Sequence, residues 1–207
     1  MKASDEIIKK RKESFAETYR GKAPEKLAII AASQHGRLYS PNADPKKKLE
    51  FRAFWENQLK ELGKKYKDTP QTEDQFIKDI EILKTSLNKN DYKDLLKNKY
   101  QDKGFDKGFR LGHAQKSLSI YLKHMWCRGE LANCPPVCPI DGVILKNLKN
   151  NDSWTKVNGL DDKINGNKKI YTGYRNHLEM VKAAAKNEGY NSLAEWELMK
   201  WEPNNAK

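Results

Sequence analysis

Long apolar runs are missing from this sequence. None approaches the roughly 20 consecutive residues that a helix needs to cross a bilayer, so no membrane span is expected. The opening MKASDEIIKKRKESF carries no uninterrupted apolar region after its first charges. It does not read as a secretory signal, and the expected location is cytoplasmic. Cysteine is scarce and odd in number, three in all, which excludes a disulfide framework of paired cysteines. No GxxxxGK[ST] loop is present, so nucleotide hydrolysis has no support. Histidine is also sparse. His35, His113 and His177 are scattered, and no Ser-His-Asp or His-x-x-x-His arrangement links them. No stretch alternates apolar and polar residues in the manner of a strand, and no repeat exceeds a short DKGF echo.

Acid is in deficit. Forty Lys and Arg face 28 Asp and Glu, a formal charge of +12 on 207 residues. A surface of that sign attracts polyanions, and each phosphate it neutralises releases condensed counterions. Apolar residues make up 37% and charged residues 33%, so a modest core lies under a heavily charged surface. Aromatics at 10% exclude a disordered chain, which would lack them. The expectation is a nucleic-acid partner, DNA in the first instance, and no membrane.

Helix signals dominate what is there. Ser4 caps a first helix carrying Ile7, Ile8, Phe15 and Tyr19, and Gly21 ends it. Pro24 opens PEKLAIIAAS, apolar nearly all round. Asp44 caps and Pro45 starts a helix with Phe51, Phe54, Trp55, Leu59 and Leu62 at helical spacing, stopped by Gly63. A Thr72–Gln75 capping box opens the next, and Asn90 caps a short one over NDYKDLLKNKY. NNDSWTKVNGLDDKINGNKK reads as a long polar loop. The chain closes with TGYRNHLEMVKAAAKNEGY, ended by Gly189, and with NSLAEWELMKW, opened by a Ser192–Glu195 box. The predicted fold is all-α, a compact bundle of about eight helices in a single domain over 1–207, with a subdivision at 1–69 and 70–207 as the alternative.

The informative stretch is GHAQKSLSIYLKHMWCRGELANCPPVCPID, from Gly112 to Asp141. Ala114, Leu118, Tyr121, Leu122, Met125 and Trp126 share one helical face, with Lys116, Ser119 and Lys123 opposite. Gly112 sits just before the helix, where the N–H groups of Gly112, His113 and Ala114 would face outward and suit a phosphate. Lys107, Arg110, Gly112, His113 and Gln115 are the expected nucleic-acid contacts. CPPVCP must be irregular, and it delivers Asp141 to the start of a new apolar segment, where it can cap a helix. His124, Cys127, Cys134 and Cys138 offer an H-x2-C-x6-C-x3-C pattern of soft ligands. Its spacing is not that of a standard finger, so no metal or other cofactor is expected.

Gly112, Lys116 and Pro139-Ile140-Asp141, within residues 105–150, resemble the catalytic segment of helix-hairpin-helix DNA glycosylases. That family carries a Gly-rich hairpin, a lysine at the start of the next helix, and a downstream aspartate after a proline. Its hairpin is usually Leu-Pro-Gly-x-Gly; FRLGHAQK has one glycine and no proline. The resemblance implies base-excision DNA repair by a glycosylase/lyase, with Lys116 as nucleophile on the sugar carbon and Asp141 as its proton-transfer partner. A helix start, carrying roughly half a positive charge, would disfavour a protonated amine nearby. The alternative, of another class, is a noncatalytic nucleic-acid-binding or regulatory protein using the same basic surface.

Overall fold

Six of the eight described helix starts are set by a short polar side chain that accepts from orphan amides of the first turn, or by proline; those after Arg110 and Gly173 have neither. Ser4 accepts from Ile7 to open α1 (Asp5–Thr18), and Pro24 opens α2 (Pro24–Ala32). Asp44 accepts from Lys46 and Lys47 at the start of α3 (Pro45–Lys64). Thr72 accepts from Gln75 to open α4 (Glu73–Leu87). The reciprocal half of that box is not made, because the Gln75 amide turns to Asp79 instead (3.0 Å). After α5 (Leu111–Cys127), Asp141 caps the short α6 (Gly142–Asn147), and Ser192 caps α8 (Leu193–Lys200) behind α7 (Tyr174–Asn187). These eight helices come from a computed structural model that describes residues 4–89, 92, 95–97 and 108–202.

The expected polar loop after α6 is more ordered than its composition suggests. It holds a 3-10 turn over Trp154–Lys156 and an antiparallel hairpin, β1 (Lys163–Asn165) with β2 (Lys168–Tyr171). Asp162 ties the hairpin to α7, accepting from the Gly173 amide (2.7 Å) and the Asn176 side chain (2.8 Å). Most of the predicted helix over 90–100 lies outside the described residues. Leu96 within it makes an isolated antiparallel bridge to Tyr39.

One helix organises the rest. Of the 17 residues of α5, only Lys116 and Ile120 escape burial. The helix touches α1, α2, α3, α4 and the 3-10 turn, so it is enclosed on nearly all sides rather than amphipathic. Small residues allow that enclosure. A Cβ on Gly63 of α3 would strike the Tyr121 ring, and one on Gly112 would strike the Trp154 carbonyl. Trp55 donates from its indole nitrogen to Ser117 across the α3–α5 contact (3.2 Å). The core is one cluster that includes residues on both sides of position 69, from Ile8 and Trp55 to Leu83 and Trp196. Among the described residues no helix is long and apolar enough to cross a membrane.

Candidate functional site

The start of α5 is bolted down, which corrects the expectation of outward-facing amides. Gly112 lies inside the first turn, and its N–H donates to the Val157 carbonyl (2.9 Å). The amides of His113 and Ala114 donate to the Arg110 carbonyl. Arg110 is buried and its guanidinium donates to the Thr155 carbonyl (2.6 Å). His113 is buried as well, and burial beside Arg110 and Lys116 pushes its pKa down to about 3. Arg110, Gly112, His113 and Gln115 are therefore interior residues, and the helix start they form offers no open anion cradle. Lys107 lies outside the described residues.

Gln115 has a different job. Its side-chain amide donates to the Ile140 carbonyl (2.6 Å) and accepts from the Ile140 amide (3.2 Å). This two-way clamp holds the extended chain one residue before Asp141, from a helix position one residue before Lys116. Asn88 makes the same kind of clamp on Phe109 at the entry to α5. A Gln115→Leu variant leaves both Ile140 groups unpaired in the interior. The expected loss is about 1–3 kcal/mol for each orphaned group, measurable by denaturant unfolding.

The clamps bring Lys116 and Asp141 together. The Lys116 ammonium lies 3.2 Å from Asp141 Oδ2, with side-chain exposures of 12% and 22%. Asp141 Oδ1 meanwhile accepts from the amides of Val143 (2.9 Å) and Ile144 (3.2 Å). One carboxylate thus caps α6 with one oxygen and faces the lysine with the other. The ring of Trp154 lies under the same ammonium, 4.4 Å from centroid to Nζ. The bonds from Arg110 and Gly112 to the 154–157 turn put it there. Lys116 stands in the second turn of α5, and the charge of a helix start falls off within the first.

The pair opens into a cleft of about 430 Å³, within the range of about 300–1,000 Å³ typical of ligand sites. Lys116, Ile120, Lys123 and His124 line one side, a single face of α5 at helical spacing. Leu27, Ile30 and Ala31 of α2, with Val143 and Ile144 of α6, supply apolar walls. Gln34 and His35 stand at the rim with positive φ of 52° and 55°, a conformation uncommon outside glycine.

The far end holds a second ion pair, missed in the sequence. Lys123 Nζ lies 2.9 Å from Glu197 Oε1 and 2.7 Å from Oε2, both side chains being nearly buried. Burial raises the Glu197 pKa, against the lowering effect of Lys123. Phe15, Tyr19, His124 and Trp201 cluster around it, with ring centroids 4.8–4.9 Å apart for Phe15–Tyr19, Phe15–His124 and Phe15–Trp201. Burial, with Arg128 and Lys123 close by, pushes the His124 pKa down to about 3. The signal available was Lys116, Lys123 and His124 at helical spacing, which reads as an ordinary polar stripe until Glu197, 74 positions after Lys123, is placed opposite.

The cysteines lie behind this wall. Burial pushes the Cys127 thiol up to about 12 and that of Cys134 to about 11. Cys134 shares a hydrogen bond with Ser192 (3.1 Å). Among the described residues no group of three or more His, Cys, Asp or Glu is placed to hold a metal ion. No protein-family model, curated protein or solved structure matches the chain.

Proposed function

We propose that this is a cytoplasmic DNA-binding protein that removes a damaged base, a DNA glycosylase/lyase with Lys116 as its nucleophile. The observation that carries the reading is the Lys116–Asp141 pair, 3.2 Å apart in the wall of a cleft. The net charge of +12 supports a polyanionic substrate. Chemistry on a base requires that it leave the stack, and a cleft lined by aromatic and apolar groups can receive it.

The residues divide the work. Asp141 takes a proton from the Lys116 ammonium, whose free amine then attacks the sugar C1′. A C–N bond forms there as the glycosidic bond breaks, and its electron pair leaves with the base, which is protonated. The aminal then opens to an imine between Lys116 and the sugar, with Asp141 exchanging the protons that move. The Trp154 ring stabilises positive charge at this nitrogen through its π face.

Duplexes carrying single damaged bases or an abasic site test the reading through base release and strand incision. Activity on at least one supports it. Inactivity across the panel, with DNA still bound, favours the noncatalytic nucleic-acid-binding alternative. Binding itself should weaken steeply with salt, log affinity falling linearly with log salt concentration in a filter-binding or anisotropy titration. No binding at low salt would remove both readings.

A further inference from the structure

We propose that the Lys123–Glu197 pair is the recognition floor of the cleft, and that it reads the edge of a two-ring base carrying a lactam, a carbonyl next to a ring N–H. This rests on the glycosylase reading and names the substrate class of that site.

Two buried polar atoms at the floor lack a directed hydrogen bond. Glu197 Oε2 sits within ion-pair distance of Lys123 but receives no well-aligned bond, and His124 Nδ1 has no partner. Glu197 is 9% exposed and His124 3%, and both line the cleft. An ammonium has three donors and needs only one or two for its carboxylate. Lys123 otherwise lies over the Phe15 ring (4.5 Å to the centroid), so the pair has one donor and one acceptor, side by side, without a directed hydrogen bond. A lactam presents the complement, a carbonyl oxygen for the ammonium and a ring N–H for the carboxylate. Its two groups carry opposite partial charges larger than those of a ring nitrogen beside an amino group. Charge-assisted bonds of this kind are roughly twice as strong as neutral ones.

The span favours two rings. Lys116 and Lys123 are seven residues apart on one face of α5, about 10 Å of helix rise. A base whose sugar carbon is held at Lys116 must present its far edge near Lys123, and a single ring leaves a gap. The aromatic wall is suited to a flat ligand. Trp201 and Tyr19 are half-buried and face the cleft, while Phe15 backs them.

The test uses the full-length protein and free hypoxanthine, which carries the lactam, against unsubstituted purine, which carries neither group, and adenine, whose acceptor and donor are in the reverse order. Tryptophan fluorescence quenching reads binding without any reaction. Hypoxanthine should bind at least tenfold more tightly to the wild-type protein than either competitor. Glu197→Gln should reduce that preference at least tenfold. Because Glu197→Gln leaves the Lys123 charge buried alone, a Lys123→Gln/Glu197→Gln double variant, checked for folding by circular dichroism, should also lose it. Equal binding of the three bases, or a preference unchanged in the folded double variant, overturns the proposal even where DNA incision is found. A lactam preference without incision of any duplex keeps the recognition floor and removes the glycosylase reading instead.

Discussion

An Asp141→Asn variant is expected to fold like wild type and to lose about 10²–10⁴-fold in the rate of base release, the usual effect of removing a group that moves protons. The two roles of this carboxylate fall on different oxygens. Oδ1 receives the Val143 and Ile144 amides, and asparagine caps a helix about as well as aspartate. Oδ2 faces the Lys116 ammonium, and there asparagine can place an NH2 that neither attracts the charge nor takes a proton. Asp141→Ala should show both losses, the rate and about 1 kcal/mol of cap stability. Single-turnover rates read one effect and urea denaturation the other. A fully active Asp141→Asn variant would leave Asp141 a cap alone.

The protein should also be acid-labile well above the usual carboxylate range. His113 and His124 are both enclosed, and burial holds each neutral down to about pH 3. In the unfolded chain each titrates near 6.5. Their folded pKa values are depressed, so the unfolded state binds more protons throughout that window. Stability is then full above pH 6.5 and falls as pH drops towards 3, with a slope of up to about 2.7 kcal/mol per pH unit for two protons. Over a pH unit and a half that approaches a large share of a typical domain stability of about 5–15 kcal/mol. Glu197 opposes this. Its raised pKa favours the folded state as pH falls, which flattens the lower part of the curve. Urea midpoints at pH 7, 6 and 5 should decline steadily, and His124→Phe, whose ring would sit among Phe15 and Tyr19, should remove about half of the slope. Midpoints that stay level from pH 7 to 5 would show that neither histidine is buried as described.

Helix starts were the most legible part of the chain, because Ser4, Asp44, Thr72, Asp141 and Ser192 act locally, on amides two or three residues ahead. The enclosure of α5 was not legible. Its polar residues suggest a solvent face, yet Ser117 and Ser119 donate to carbonyls of their own helix and Gln115 clamps Ile140. Lys123 meets a glutamate from the other end of the chain. Local bonding and distant partners satisfy these groups, and periodicity reports neither. The hairpin was missed for a related reason. Its strands are three and four residues long and mostly polar, so they show no alternation, and Asn165-Gly166 was their only clear turn signal. Lys116 and Asp141 were paired in the sequence only through the resemblance of their segment to helix-hairpin-helix glycosylases, since nothing in the residues between them reports how the chain returns. That Gln115 and Trp154 set their geometry depended on tertiary contacts.

The most direct measurement of the central claim is hydride trapping of the imine. Wild-type protein mixed with a processed duplex and borohydride should yield a covalent protein–DNA complex whose digested peptide carries the sugar remnant on Lys116. Lys116→Gln keeps the length and polarity of the side chain without a nucleophilic amine. It should give no such complex while binding the same duplex within a few fold of wild type. A Lys116→Gln variant that traps as efficiently as wild type, or a remnant mapped to another lysine, would contradict the account.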